Sequence, residues 1–212
     1  MNHIYRIVWN ATLGVWQAVG EIGKGLGKSK SHARRNRMKQ AGLAIAVFMS
    51  AGQVYAAVLP QGAQVTAGSA NISTNGNTLN VVQSSDKAAI NWQSFNIGKD
   101  GTVNFQQPNA NAVALNRVVG NEQSVIEGAL KANGQIFLLN SNGVLFTKDA
   151  QVNTGGIVAS TLNISDADFM AGKTTFSANG SKASIINLGT ITAKEGGYVA
   201  LLGNNVTNEG VI

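Results

Sequence analysis

"NLGTI" at residues 187–191 returns as "NEGVI" at 208–212, setting Asn187 over Asn208, Gly189 over Gly210 and Ile191 over Ile212 at a spacing of 21. That period suits one coil of a solenoid, in which each short unit buries its apolar side only by stacking on the next. At about 3.3 Å per residue such a coil has a perimeter of about 70 Å, enough for three short strands joined by bends. Residues 57–212 would then make about seven coils, stacked about 4.8 Å apart into a rod of about 35 Å. Like residues fall over like residues in such a stack, giving amide ladders at the bends and aliphatic columns inside.

The rest of the segment reads the same way. It holds 21 Asn, 18 Gly and 24 Ser or Thr, yet its apolar residues are not scattered. They gather in short clusters such as "TLNVV", "AAINWQSFNI", "TVNF", "AVALNRVV", "QIFLLN", "GVLF", "GGIVAS", "ASIINLGTI" and "YVALL", each bounded by Gly, Asn, Asp or Ser. That is strand-and-turn patterning, and an all-β fold follows.

Three stretches test the reading. In "QIFLLNSNGVLF" (135–146) the Asn142-Gly143 pair is a strong hairpin signal, since both residues accept positive φ. Against a hairpin, "IFLL" is continuously apolar where a half-exposed strand would alternate; a sharp corner between two stacked faces accommodates both facts. "SVIEGALK" (124–131) has capping-box spacing from Ser124 to Glu127, but Gly128 weakens a helix, and a strand is the assignment. "SDADFMAG" (165–172) reads as a helical turn or loop inserted between coils.

Residues 1–56 are a different kind of sequence. They carry eight of the 16 basic residues against one acid, Glu21, while residues 57–212 carry eight basic and nine acidic residues. The basic balance thus belongs to a leader, and nucleic-acid binding by the main segment loses its electrostatic warrant. A basic run, "KGLGKSKSHARRNRMK", precedes the apolar "AGLAIAVFM" and small residues ending in "VYA". This is the layout of a Sec-type signal over 25–56, with cleavage between Ala56 and Ala57, and its apolar core is short of the roughly 20 residues that a spanning helix needs. Ahead of it, residues 1–24 form an extension whose Tyr5, Trp9 and Trp16 share one face if the stretch is helical. Aromatics on one face suit a membrane–water interface.

Catalytic and metal chemistry has few candidates. Both histidines, His3 and His32, lie in the leader and there is no cysteine. A mature chain from Ala57 therefore lacks Ser-His and Cys-His nucleophile systems, the common zinc sites and disulfides. Asp166 and Asp168 are the close acidic pair, with no basic partner expected nearby, so they read as an exposed loop. Arg117 is the one arginine after the leader, and a buried or corner-stabilising role fits it better than phosphate contact. Trp92 and Tyr198 read as core. The expectation is no catalytic residue, no metal and no cofactor.

With these residues in hand, the chain resembles the N-terminal secretion domain of the filamentous haemagglutinin family, the exported partner of two-partner secretion systems. "MNHIYRIVWNATLGVWQAVGE" is similar to the extended signal-peptide region of very large exported proteins of Gram-negative bacteria. "INWQSFNIGKDGTVNF" followed by "AVALNRVVG", with Asn116 and Arg117, resembles the family's central segment. "NGQIFLLNSNGVLF" resembles its signature, Asn-Pro-Asn-Gly-Ile, here Asn140, Ser141, Asn142, Gly143 and Val144. Ser141 in place of Pro gives up a fixed φ at the corner and leaves Asn140, Asn142 and Gly143 to hold the turn. The family's second signature, Asn-Pro-Asn-Leu, has at best an echo in "QPNA" at 107–110.

The resemblance implies a right-handed parallel β-helix over 57–212 with an N-terminal cap, preceded by a helical signal peptide. It also implies Sec export and recognition in the periplasm by an outer-membrane β-barrel transporter with periplasmic docking domains, after which the protein is secreted or held at the cell surface. The transporter would depend on the corner at 140–144. A downstream passenger acting as an adhesin toward host or bacterial receptors is the leading expectation, a haemolysin or contact-dependent toxin the alternative. A β-helical carbohydrate-active enzyme is the rival outside the family.

Overall fold

The structure is a computed structural model that describes the backbone of residues 5–10 and 15–20 and the whole of residues 57–212. The chain divides into two compact units, Met1–Ala51 and Gly52–Ile212.

In the first unit, β1 (Tyr5–Asn10) and β2 (Val15–Gly20) pair antiparallel, with Trp9 opposite Trp16 and Tyr5 opposite Gly20. This corrects the helix expected there. Tyr, Ile, Val and Trp all favour extended backbone, and two such runs separated by four residues can satisfy each other's backbone groups in a ladder. The apolar run of the Sec-type signal and Ala56 lie outside the described residues.

The second unit is a parallel β-solenoid of about five turns. Its first face stacks β5 (Thr78–Gln83), β7 (Thr102–Gln106), β10 (Ala129–Ala132), β13 (Gln151–Thr154) and β16 (Thr190–Ala193). The second stacks β6 (Lys87–Trp92), β8 (Val113–Val118), β11 (Gln135–Leu139), β14 (Gly156–Ser160) and β17 (Val199–Leu202). The third stacks β9 (Ser124–Ile126), β12 (Val144–Phe146), β15 (Ser184–Asn187) and β18 (Asn205–Asn208). The expected cap is present: β3 (Gln64–Ala67) pairs antiparallel with β6, and β4 (Ala70–Asn75) with β5, closing the edge of the first coil.

Alternation explains the interior. Leu79, Val103, Leu130, Val152 and Ile191 point inward from the first face, and Ile90, Ile136, Leu138 and Ile157 from the second, all 3% exposed or less. Each such side chain contributes roughly 1.5–3 kcal/mol by leaving water. "SVIEGALK" supplies two strands, β9 and β10, as its β assignment required.

The recurrence of 187–191 at 208–212 is a true register. Asn187 pairs with Asn208, its Nδ2 donating to Asn208 Oδ1 at 2.8 Å, and the Ile191 amide donates to the Val211 carbonyl. The interval is not constant, however. Along the first face it is 24 residues from Thr78 to Thr102, 39 from Gln151 to Thr190, and 21 from Thr190 to Val211. There are about five turns where seven were expected, because residues 57–77 go into the entry and cap, and residues 161–183 leave the stack as an insertion carrying α1 (Asp166–Met170).

That insertion resolves the "IFLL" puzzle. Ile136 and Leu138 face the interior, while Phe137 and Leu139 face outward into a second apolar cluster with Ala89, Leu115 and Val158. Ile164, Phe169 and Phe176 of the insertion cover this cluster, with the Phe137 ring centroid 6.0 Å from that of Phe169 and 5.8 Å from that of Phe176. A strand buried on both faces has no reason to alternate.

At the bend between the first and second faces, Gly134, Gly155 and Gly197 stack with no room for side chains. The Gly155 amide donates to the Gly134 carbonyl at 2.7 Å, and a Cβ on Gly155 would lie 2.7 Å from that same oxygen. Gly155→Ala is expected to cost about 1–3 kcal/mol, because the obstacle is backbone and cannot swing aside. Urea denaturation should show a lower midpoint at unchanged slope.

Candidate functional site

The segment 140–143 carries the chain from β11 on the second face to β12 on the third. β11 and β12 lie in different sheets, so Asn142-Gly143 is a corner and not a hairpin tip. The turn closes by a 2.9 Å bond from the Gly143 amide to the Asn140 carbonyl, with Gly143 at φ 98°, a conformation that glycine adopts without a Cβ penalty. Asn140 is 1% exposed and does most of the holding. Its Oδ1 accepts from the Asn142 amide at 2.8 Å, an Asx-turn, and its Nδ2 donates to the Glu122 carbonyl and to Ser124 Oγ, both at 2.9 Å. Asn142 Nδ2 reaches the Gly120 carbonyl at 2.9 Å. Two amides thus lock this corner onto the preceding coil, which is what lets Ser141 stand without proline's fixed φ. Val144 is fully buried and packs in the core.

Ser141 is the exposed member. Its carbonyl accepts from Ser181 Oγ at 2.6 Å, and it shares a cleft of about 130 Å³ with Arg117, Leu139, Leu162, Asn163 and Asn179. One member of each sequence candidate, Ser141 of 140–144 and Arg117 of Asn116–Arg117, therefore lines the same place on the surface.

Asn116 and Arg117 divide the work by the alternation of β8. Asn116 points inward, 0% exposed, where its Oδ1 accepts from Trp92 Nε1 at 3.0 Å and its Nδ2 donates to the Ala114 carbonyl at 3.2 Å. Arg117 points outward and clamps the insertion. It donates to Asp166 Oδ1 at 2.7 Å, Asn163 Oδ1 at 3.1 Å, Asn91 Oδ1 at 3.1 Å and the Ile164 carbonyl at 2.5 Å. Thr66 Oγ1 donates to the other Asp166 oxygen at 2.6 Å, so one carboxylate ties cap, second face and insertion together.

Several expectations change here. Asp166 and Asp168 do have basic partners: Arg117, which stacking brings from 49 residues away, and Lys173, whose Nζ is 2.8 Å from Asp168 Oδ1. Trp92 is in the core as expected, but Tyr198 is 40% exposed, its hydroxyl donating to Gln135 Oε1 at 2.8 Å. A buried amide ladder at the bend between the first and second faces was not expected. Gln107 Nε2 donates to Gln83 Oε1 at 3.2 Å, to the Ala112 carbonyl at 3.0 Å and to the Gln135 carbonyl at 3.2 Å, while Gln107 Oε1 accepts from the Gly134 amide. "QPNA" begins at this hub. The 24-residue step from Gln83 to Gln107, equal to that from Asn80 to Asn104, was the available signal.

The family profile described as "TPS secretion domain" matches residues 56–212. The chain belongs to the TPS secretion domain family. A second profile, "Extended Signal Peptide of Type V secretion system", matches residues 1–50. The TPS domain resembles two heme/hemopexin-binding proteins of Haemophilus influenzae. One, of strain Rd, is 39% identical over 76% of this chain and 19% of its own length; the other is 42% identical over 53% of this chain and 12% of its own. The chain thus spans a fifth or less of the curated relatives it matches. Among solved structures, the HMW1 secretion domain of Haemophilus influenzae is similar at a TM-score of 0.69 and 42% identity, over 72% of this chain and 41% of that one. An extended signal peptide ahead of a TPS domain sends the chain through the periplasm to secretion or surface display.

The clamp in this TPS domain is expected to weaken in acid. Burial pushes the Asp166 carboxyl up, but the bonds from Thr66 and Arg117 more than offset this and hold it below the usual carboxylate range. A carboxyl whose folded pKa lies below its unfolded one stabilises fully above the unfolded value and loses that contribution as pH falls through the folded value. Removing it should flatten the acid limb of stability, most visibly as pH falls through and below the ordinary carboxylate range. Thermal melts of Asp166→Asn and the parent should therefore converge on acidification, their gap at neutral pH being about 1 kcal/mol or less because the pair is partly solvated.

Proposed function

We propose that residues 57–212 form the recognition and folding module of an exported adhesin, engaged in the periplasm by an outer-membrane β-barrel transporter with periplasmic docking domains. In this reading residues 1–24 delay inner-membrane passage, residues 25–56 are the Sec signal, and cleavage after Ala56 frees a mature chain that starts at Ala57. The module performs no catalysis. Its close acidic pair, Asp166 and Asp168, is spent on ion pairs with Arg117 and Lys173, which leaves little support for the carbohydrate-active rival. A passenger beyond this module would meet host or bacterial surface receptors, whether as adhesin, haemolysin or contact-dependent toxin. A heme- or hemopexin-binding passenger is the second reading, favoured by the names of the two Haemophilus relatives.

The observation that carries the proposal is the arrangement of the corner: Asn140, Gly143 and Val144 are buried and fix its shape, while Ser141 stands at the surface beside Arg117. Fold and recognition are thereby assigned to different residues. Ser141→Arg fills the cleft mouth without touching a buried bond and is expected to cut secretion through the cognate transporter roughly tenfold with an unchanged circular dichroism spectrum. Asn142→Ala is expected to weaken folding and secretion together. Normal export of Ser141→Arg would remove the corner from the recognition surface.

A further inference from the structure

The outer surfaces of the first and second faces have different chemistry. The second is apolar and lies under the insertion. On the first, the outward positions run in register across the coils as Asn80, Asn104, Lys131, Asn153 and Thr192. The strands of this face, β4, β5, β7, β10, β13 and β16, contain no Asp or Glu. Across coils two to five runs a groove of about 480 Å³ lined by Asn104, Gln106, Lys131, Asn133, Asn153 and Lys194. Neither lysine is in an ion pair among the described residues, and Glu195, next to Lys194 in sequence, does not line the groove.

We propose that this groove binds an acidic, carboxylate-bearing polysaccharide lying parallel to the solenoid axis. Amide side chains both donate and accept, so a row of them repeating at about 4.8 Å over coils two to four presents a hydroxylated polymer with matched partners. Lys131 and Lys194 sit two coils apart, about 10 Å along the axis, close to the length of one disaccharide unit in an extended chain. Carboxylates one disaccharide apart, every second one in a polyuronate, would therefore each meet one ammonium. The rows are also held in advance: Asn104 Nδ2 donates to Asn80 Oδ1 at 3.3 Å, and Asn133 exchanges bonds of 2.6 and 2.7 Å with the Gln107 backbone. Side chains already ordered lose little freedom on binding. Single-stranded nucleic acid, the other flexible polyanion, fits less well, since the groove offers neither arginine nor an aromatic platform of the kind on which bases stack: Phe105, its one aromatic lining residue, is buried.

Isothermal titration of the purified chain with polygalacturonate, neutral dextran and single-stranded DNA tests this. Saturable binding of polygalacturonate that weakens with added salt, with dextran and DNA much weaker, is the expected result. Lys131→Gln and Lys194→Gln should each reduce affinity about tenfold, and Lys182→Gln, on the insertion, should leave it unchanged. Circular dichroism confirms that the variants are folded. No binding of polygalacturonate, equal binding of DNA, or an unaltered affinity in the folded Lys131→Gln/Lys194→Gln double variant would overturn the proposal.

Discussion

Ile136→Asp is expected to leave the secretion domain unfolded and the chain unexported. Ile136 is fully buried, between Ala114 of the coil before and Ile157 of the coil after. The substitution forfeits roughly 1.5–3 kcal/mol of apolar burial and places a carboxylate where nothing can pair with it, at a further cost of several kcal/mol. Together these approach the whole stability of a typical domain, about 5–15 kcal/mol. The expected readings are loss of the β circular dichroism signal on refolding and loss of the protein from the culture medium. The second follows from the first only if folding helps to draw the chain outward, which is a hypothesis: the outer membrane offers no ATP, and each new coil that stacks releases free energy on the outer side. A variant that is unfolded by circular dichroism yet exported at the parent's rate would separate the two and end that hypothesis.

Asn140→Ala carries the second large effect. The substitution removes the acceptor of the Asn142 amide and the donor to the Glu122 carbonyl and to Ser124 Oγ, which is itself on a fully buried residue. Stranding buried polar partners costs more than the net worth of the bonds, so a loss of about 2–4 kcal/mol is expected. Urea unfolding should place Asn140→Ala well below Asn142→Ala, whose side chain makes its one contact to the previous coil at the rim. Asn140→Asp, which keeps the acceptor but sets a buried carboxylate oxygen against the Glu122 carbonyl, should be at least as destabilising as Asn140→Ala.

What could be read from the sequence was what short-range pattern encodes. Clusters bounded by Gly and Asn gave the strands, the Asn187/Asn208 recurrence gave the stacking, and the conflict between "NG" and "IFLL" pointed to a corner. The insertion was recognised as one, but its destination was not, because nothing local in "SDADFMAG" says that Phe169 will cover Phe137 or that Asp166 will meet an arginine 49 residues earlier. The turn count failed for the same reason, since a period projected along the chain cannot know which residues leave the stack. The leader strands were not legible from aromatic spacing, since Tyr5, Trp9 and Trp16 also fall on one face of a helix; the β propensity of the intervening Ile7, Val8 and Val15 is the signal that favours strands.

The absence of cysteine allows a direct test of the stacking register. In the parallel ladder Gln151 lies beside Thr190, both exposed, with the insertion looped out between them. Neighbouring strands about 4.8 Å apart are within disulfide reach. The full chain carrying Gln151→Cys and Thr190→Cys should form an intramolecular disulfide under mild oxidation, whereas Gln151→Cys with Gly172→Cys, the pair that an uninterrupted 21-residue repeat would juxtapose, should not. The reverse outcome would contradict the interrupted solenoid on which the corner, the clamp and the groove all depend.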